Sequence, residues 1–462
     1  MTKYDLIIRG GMQCSAGSVA DGDLAISDGC IVASAPDIEG SASEEIDARG
    51  LHVFPGVIDA HVHFNEPGRT DWEGFASGTA ALAAGGATAF VEMPLNAHPP
   101  TVDAAGFDRK LAAAKASALV DFAFWGGLIP GTVEQMDELS DRGVVGFKAF
   151  MSNSGIADFP AVDDLTLYLG MERAARLGKP IAVHAENDPI TARLAEQAVA
   201  EGRYAVRDYL ASRPIVAELE AISRAILFAE ETSCSLHVVH VSCGRGVALV
   251  AEAQARGVDV TCETCPHYLV LSEEDVERLG AVAKCAPPLR PVAEREALWK
   301  ELAQGNISFV ASDHSPAPLS LKASSSFFAV WGGISGCQTL LRLLLTEGWE
   351  KRGVALATLA DATSANVARR LGLPRKGRLV AGAEADLVLV DLSQSDVLHS
   401  ADLLYRHQYS PFVGRRLRGR IERTLVRGTT VCHKNQIVSH PIGRLLRPID
   451  MKSKGSTTAD AC

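Results

Sequence analysis

From residue 53 onward the chain repeats one pattern: short apolar runs rich in Val, Ile, Phe and Ala alternate with longer stretches of helical period. The runs are VFPGVIDAHVH (53–63), TAFVEMP (88–94), DFAFWGGL (121–128), GVVGFKAFM (143–151), PIAVHAE (180–186), LHVVHVS (236–242), DVTCETC (259–265) and ISFVASDH (307–314). Eight such units predict an α/β fold, and a closed (β/α)8 TIM-like barrel fits them better than an open doubly wound sheet.

The two ends of the chain differ from this middle. YDLIIRGG, DLAIS and CIVASAP are short apolar stretches separated by Gly and Asp turn signals, and β patterning returns after residue 376 in ADLVLVDL and RTLVRGTTVCHKNQIV, which resembles a hairpin around a Gly-Thr turn. A length of 462 residues exceeds one small core, so a large domain plus a smaller one is expected. The closing residues 451–462 are polar and read as a disordered tail.

Charge excludes some functions. The formal net charge of −11 weighs against a nucleic-acid binder, which normally shows a basic face. Asp5 and Arg9 interrupt the N-terminal apolar stretch, so it is not a signal peptide. Residues 74–91 carry no charged side chain, but four glycines and many Ala, Ser and Thr make them a buried helix running into a strand rather than a membrane span. The ten cysteines show no framework spacing, which points to free thiols in a reducing cytoplasm.

Five of the eight runs end in side chains with metal-ligand chemistry. The first ends in His61-Val62-His63, and alternation along a strand places positions i and i+2 on one side, so both imidazoles can address one ion. The fourth carries Lys148, the fifth His184, the sixth His240 and the eighth Asp313. In a (β/α)8 barrel the active end is the C-terminal end of the strands, which would bring these residues to one rim. Taken singly, each has an ordinary explanation. His-x-His is a weak motif, His184 reads as a satisfied core histidine, Asp313 as a loop cap, and Lys148 as the partner of a buried carboxylate. Independent accidents do not fall at the same end of successive strands, and the conjunction points to a metal site.

Other residues are set aside. His237 and His240 are three apart, so in a regular strand only one can look into the barrel, and His240 is nearer the strand end. His314 should face away from Asp313 by the same alternation. Cys262-x-x-Cys265 lacks a second pair at ribbon spacing and reads as a strand with two small thiols. Four His and one Asp suit Zn²⁺, with Co²⁺, Mn²⁺, Fe²⁺ or Ni²⁺ as alternatives, and a set this large suits two ions better than one. A Lys148 ammonium beside two divalent cations would add repulsion, whereas a carbamate made from Lys148 and CO2 would be an anion able to bridge both.

On these residues the chain resembles the amidohydrolase superfamily, in its cyclic-amidase branch of hydantoinases, dihydroorotases and allantoinases. PGVIDAHVHF, GFKAFM, AVHAEN, VVHVS, ETCPHYL and ASDHSP carry the resemblance, which runs from the N-terminal β unit to about Val438. It implies His61, His63, Lys148, His184, His240 and Asp313 as ligands of a binuclear centre bridged by hydroxide and by carbamylated Lys148 (N6-carboxylysine). It also implies a catalytic barrel over 53–375, a composite β-sandwich from 1–52 and 376–440, and a homotetramer.

Within the branch, HVHFNEPGRTDWEGF, EMPLNAHPPT, KCAPPLR, WGGISG and YRHQYSPFVG are similar to allantoinases. Asn65 stands where dihydroorotases hold a substrate carboxylate with Arg, and allantoin has no carboxylate. Asn153 stands where hydantoinases carry an oxyanion-donating Tyr. Asn153, with the backbone at Ala286 and Gly332, is a candidate substrate contact. Glu66-Pro67-Gly68-Arg69 is read as ordering the first βα loop. The implied reaction is hydrolytic opening of the hydantoin ring of allantoin to allantoate, with Asp313 taking a proton from the hydroxide and returning it to the leaving ring nitrogen. The nearest alternative is a hydantoinase or dihydropyrimidinase acting on 5-substituted hydantoins or dihydrouracil. A dihydroorotase is disfavoured by Asn65, and a catalytically silent scaffold by the complete ligand set.

Overall fold

The computed structural model describes residues 3–15 and 17–449; the segment 451–462, expected to be a disordered tail, lies outside them. Eight parallel strands alternate with helices: Val57–Val62, Ala87–Glu92, Asp121–Phe124 with its continuation Gly126–Gly127, Phe147–Phe150, Ile181–His184, Leu236–Val238, Val260–Thr264 and Phe309–Val310. The ring closes between the first and last. Val62 bridges His314 in parallel, the His63 amide donates to the His314 carbonyl at 2.7 Å, and the Ser312 amide donates to Asp59 Oδ1 at 2.9 Å. This is the expected barrel. Every residue of the first two strands is buried, which is why their sequences read as continuous apolar runs instead of alternating ones.

Two runs are more broken than their sequences suggest. VFPGVIDAHVH is two strands, because His52–Pro55 joins a separate sheet and the chain then passes Thr88 at Gly56, where any Cβ would overlap that side chain. DFAFWGGL is interrupted at Trp125, whose indole Nε1 donates to the Ala60 carbonyl at 3.2 Å. The charge-free stretch is the helix Phe75–Ala84 followed by the strand Ala87–Glu92, as expected. No helix among the described residues is long and apolar enough to cross a membrane.

A second, nine-stranded sheet draws on both chain ends. His52–Pro55 lies between Lys3–Ser15 and Leu387–Val397, pairing antiparallel with the latter from Leu387↔Pro55 to Val390↔His52. Alternate residues Leu6, Ile8, Leu24, Ile26, Val53, Leu387, Leu389 and Leu425 form its core. The hairpin of Arg416–Val426 and Thr429–His433 turns on Arg427 and Gly428, both at positive φ, one residue before the Gly-Thr position expected.

A buried ionic cluster joins the sheet to the barrel. Lys376 Nζ reaches Asp121, the first residue of the third barrel strand, at 2.6 Å, Glu384 at 2.6 Å, and Asp386, while Arg427 clasps Asp121 from the hairpin. Burial alone would lower the Lys376 amine, but the carboxylates of Asp386, Asp121 and Glu384 raise it above its ordinary value. Eight cysteines, from Cys14 to Cys432, are buried free thiols as expected, whereas Cys30 is disulfide-bonded.

Candidate metal centre

The C-terminal ends of the barrel strands gather the imidazoles and the carboxylate. His61 lies near the end of the first strand and His63 just beyond it; their Nε2 atoms are 3.2 and 3.4 Å from the same Asp313 oxygen, Oδ1. The His240 ring centre lies 5.4 Å from that of His61 and 4.8 Å from that of His184, with His184 Nδ1 and His240 Nε2 3.1 Å apart. Two groups of candidate ligands therefore stand side by side, His61–His63–Asp313 and His184–His240. Lys148 is fully buried in the fourth strand, and its charge acts on His63, His184 and His240 alike.

The backbone bends to make this possible. His240 and Asp313 follow the ends of their strands with φ of 40° and 45°, the left-handed region that costs a residue with a Cβ about 1 kcal/mol or more. This overturns one expectation. The sixth strand stops at Val238, so alternation does not extend to His240, and His237 and His240 do not face opposite ways. Both serve the barrel interior: His237 Nε2 lies 3.1 Å from Glu263 Oε2, and His61 Nδ1 lies 2.5 Å from the same residue's Oε1.

The electrostatics leave these groups ready for cations. Burial pushes His63 down to about 4 and lowers His184 and His240, so the rings are neutral near pH 7 and keep a lone pair. Burial pushes the Lys148 amine down to about 7, only partly offset by Glu263 and Asp313. Burial would raise Asp313, but His61 and His63 beside it hold it well below the carboxylate range. Among the described residues, Lys148 Nζ, His63 Nδ1 and His240 Nδ1 are buried with no hydrogen-bond partner, so the ordinary reading of Lys148 as half of a buried pair fails. Unpartnered lone-pair donors beside an ionised carboxylate fit divalent metal ions.

The residues that hold these ligands escaped the sequence reading. Glu263 can only accept, so His61 and His237 each turn an N–H to it, and this sets His61 Nε2 toward Asp313. Burial alone would raise Glu263; the two imidazoles hold it at about 2. Its signal was a carboxylate inside the apolar run DVTCETC. Glu186 Oε2 likewise lies 2.9 Å from His184 Nε2 and is clasped by Arg213. Cys265 and His267 come within 4.8 Å of Asp313, a grouping the plain-thiol reading of Cys262 and Cys265 did not include. His314 faces away from Asp313, as expected, accepting at Nδ1 from the Gly336 amide.

A cavity of about 490 Å³ opens over the ligands, and Asn153, Ala286 and Gly332 all line it. The Asn153 side chain is engaged in its own loop, accepting from the Gly155 amide at 2.9 Å. Glu66 accepts from the Phe75 amide and Arg69 donates to the Asn96 carbonyl, each at 2.8 Å, so this stretch orders the first loop. Asn65 is buried and donates to the Pro316 carbonyl at 3.4 Å.

Known proteins resemble this chain in sequence and fold. The profile of the amidohydrolase family matches residues 52–431. An allantoinase of Rubrobacter xylanophilus is 62% identical over 448 residues, 97% of this chain and 98% of its own. An allantoinase of Solibacter usitatus is 52% identical over 96% of this chain and 97% of its own. Among solved structures, the L-hydantoinase (dihydropyrimidinase) from Arthrobacter aurescens superposes with a TM-score of 0.94 at 35% identity, covering 96% of this chain and all of that one. A dihydropyrimidinase from Brevibacillus agri superposes at 0.90 with 31% identity, covering 96% and 98%.

Proposed function

The chain belongs to the amidohydrolase family, and from that premise we propose that it opens the hydantoin ring of allantoin to give allantoate. The observation that carries the chemistry is the convergence of four imidazoles, an ionised Asp313 and, among the described residues, an unpaired Lys148 at one barrel rim. The substrate rests on the similarity to allantoinases along the whole chain.

His61, His63, His184, His240, Asp313 and Lys148, carbamylated by CO2, would hold two divalent ions, Zn²⁺ first with Co²⁺, Mn²⁺, Fe²⁺ or Ni²⁺ as alternatives, and these would supply hydroxide near neutral pH and polarise the ring carbonyl. The chain does the rest. Asp313, held ionised, takes the proton of the attacking oxygen and delivers it to the leaving ring nitrogen. Glu263 and Glu186 fix the rings of His61 and His184. Asn65 offers no cation where the substrate offers no carboxylate. The peptides at Ala286 and Gly332 present backbone to the ring, and with the Asn153 side chain engaged in its own loop, no Tyr serves as oxyanion donor at that position.

We assign the chemistry to the barrel within 53–375 and the bracing to the β unit of 1–52 and 376–440, with the boundary moved past His52–Pro55, which pairs in the terminal sheet. Association into the homotetramer we propose is supported by exposed Leu165, Leu169 and Leu227 on the adjoining helices Asp164–Leu177 and Ile215–Thr232; a cytoplasmic setting is supported by the eight buried free thiols, with the disulfide at Cys30 standing against it. Light scattering tests the first.

The deciding experiment measures allantoate release from racemic allantoin by enzyme stripped of metal and reconstituted with Zn²⁺, Mn²⁺ or Co²⁺, with and without bicarbonate, beside hydantoin and dihydrouracil. Turnover of allantoin well above the others, requiring metal and bicarbonate together, is expected. Turnover of hydantoin or dihydrouracil alone would replace the substrate and keep the centre.

A further inference from the structure

Two lysines, buried to 5% and 6% exposure, lie under one wall of the cavity. Lys284 Nζ donates to the carbonyls of Phe327 at 2.6 Å, Phe328 at 3.2 Å and Val330 at 2.5 Å, and sits 4.5 Å from the centre of the Tyr209 ring. Lys322 Nζ donates to the carbonyls of Trp331 at 3.0 Å, Gly333 at 2.7 Å and Ala281 at 3.3 Å. An ammonium has three donors, so both are fully used, and five of these six carbonyls belong to residues 327–333. Among the described residues neither lysine forms an ion pair.

Burial pushes both amines down to about 7; Arg213 and Lys322 lower Lys284 further, and Cys285 opposes the fall at Lys322. Neutral donors could tie a loop at less cost than buried cations. Cationic donors hold carbonyls about twice as strongly and turn them to one side of the loop. Gly332 stands between two held carbonyls, those of Trp331 and Gly333, yet among the described residues its own N–H and C=O meet no hydrogen-bond partner. A Cβ built on it would touch nothing within 4 Å, and it lines the cavity. A peptide with one donor and one acceptor, fixed on both sides and open to the cavity, matches the edge of a cyclic amide.

We propose that Lys284 and Lys322 are positioning residues for ring opening: their ammonium groups hold the stretch Phe327–Gly333 so that the Gly332 peptide is presented to the substrate ring. This rests on the reading of the cavity as an allantoin site.

Lys322→Met is compared with wild type as metal-loaded enzyme at pH 7. The KM for allantoin is expected to rise about tenfold or more, with kcat within about threefold. Metal content stays unchanged, and chymotrypsin cuts faster after Phe328 and Trp331. Lys322→Gln, which keeps a neutral donor, falls between the two. An unchanged KM, a loss confined to kcat, or an unchanged cleavage rate overturns the proposal. Should Lys322→Met fail to fold, Lys322→Gln is held to the same criteria. Wild-type enzyme that opens no allantoin defeats the functional reading, and the cleavage rate alone then decides the clamp.

Discussion

His61 and Glu263 meet at 2.5 Å between Nδ1 and Oε1, and the second oxygen of that carboxylate reaches His237. One buried anion on the seventh strand thus sets the orientation of a candidate ligand on the first. Glu263→Gln keeps the size and one acceptor but no longer demands an N–H from both rings. Metal affinity is expected to fall about 10- to 100-fold with the fold intact. Competition with a chromogenic chelator measures it, and unchanged affinity would show that His61 is fixed by other contacts.

Asp313 has its Oδ1 against both His61 and His63, and in the proposed reaction it shuttles the proton. Asp313→Asn retains an oxygen ligand but no basic carboxylate. In metal-replete enzyme kcat is expected to drop by about two to four orders of magnitude while the thermal midpoint changes little. Near wild-type kcat would remove Asp313 from the proton-transfer role.

Lys376 carries the charge balance between the barrel and the terminal sheet. Lys376→Met leaves Asp121 and Asp386 buried without their main cation, with Arg427 able to answer only Asp121 through its side chain. A loss of about 3–5 kcal/mol is expected in urea unfolding. A loss under about 1 kcal/mol would mean that the carboxylates protonate at little cost.

Burial raises Glu92 from 4.5 to about 8, although Lys110 and the Phe64 amide favour its anion. The folded state therefore binds a proton that the unfolded chain has released between those values. This contribution to stability is complete below about pH 4.5 and is lost as pH rises to about 8. Glu92→Gln removes the dependence, so wild type minus variant stability should fall across that window. A flat difference in denaturant midpoints would show that Glu92 is already ionised at pH 5.

The barrel and its six ligand candidates were legible because two periodicities coincide in the sequence: apolar runs spaced by helices, and polar ligand types at the ends of those runs. What stayed hidden depends on contacts between runs. Glu263 touches His61, some 202 residues away, and no local pattern announces that partnership. His237 was misjudged because strand alternation was extended past Val238, where the left-handed turn at His240 abolishes it. Lys284 opens the segment KCAPPLR and Lys322 lies outside the quoted segments, but neither position announces the loop carbonyls folded around it.

The contact that closes the ring, between Asp59 and Ser312, spans 253 residues. A ribosome therefore delivers His61 and His63 long before it delivers Asp313, and an unfinished chain offers metal only scattered imidazoles. The full ligand group comes into being once the eighth strand has emerged and docked beside the first. Completion of the proposed metal site is thus ordered in time as well as in space: a nascent chain stalled before Phe309 lacks both Asp313 and the strand that closes the ring.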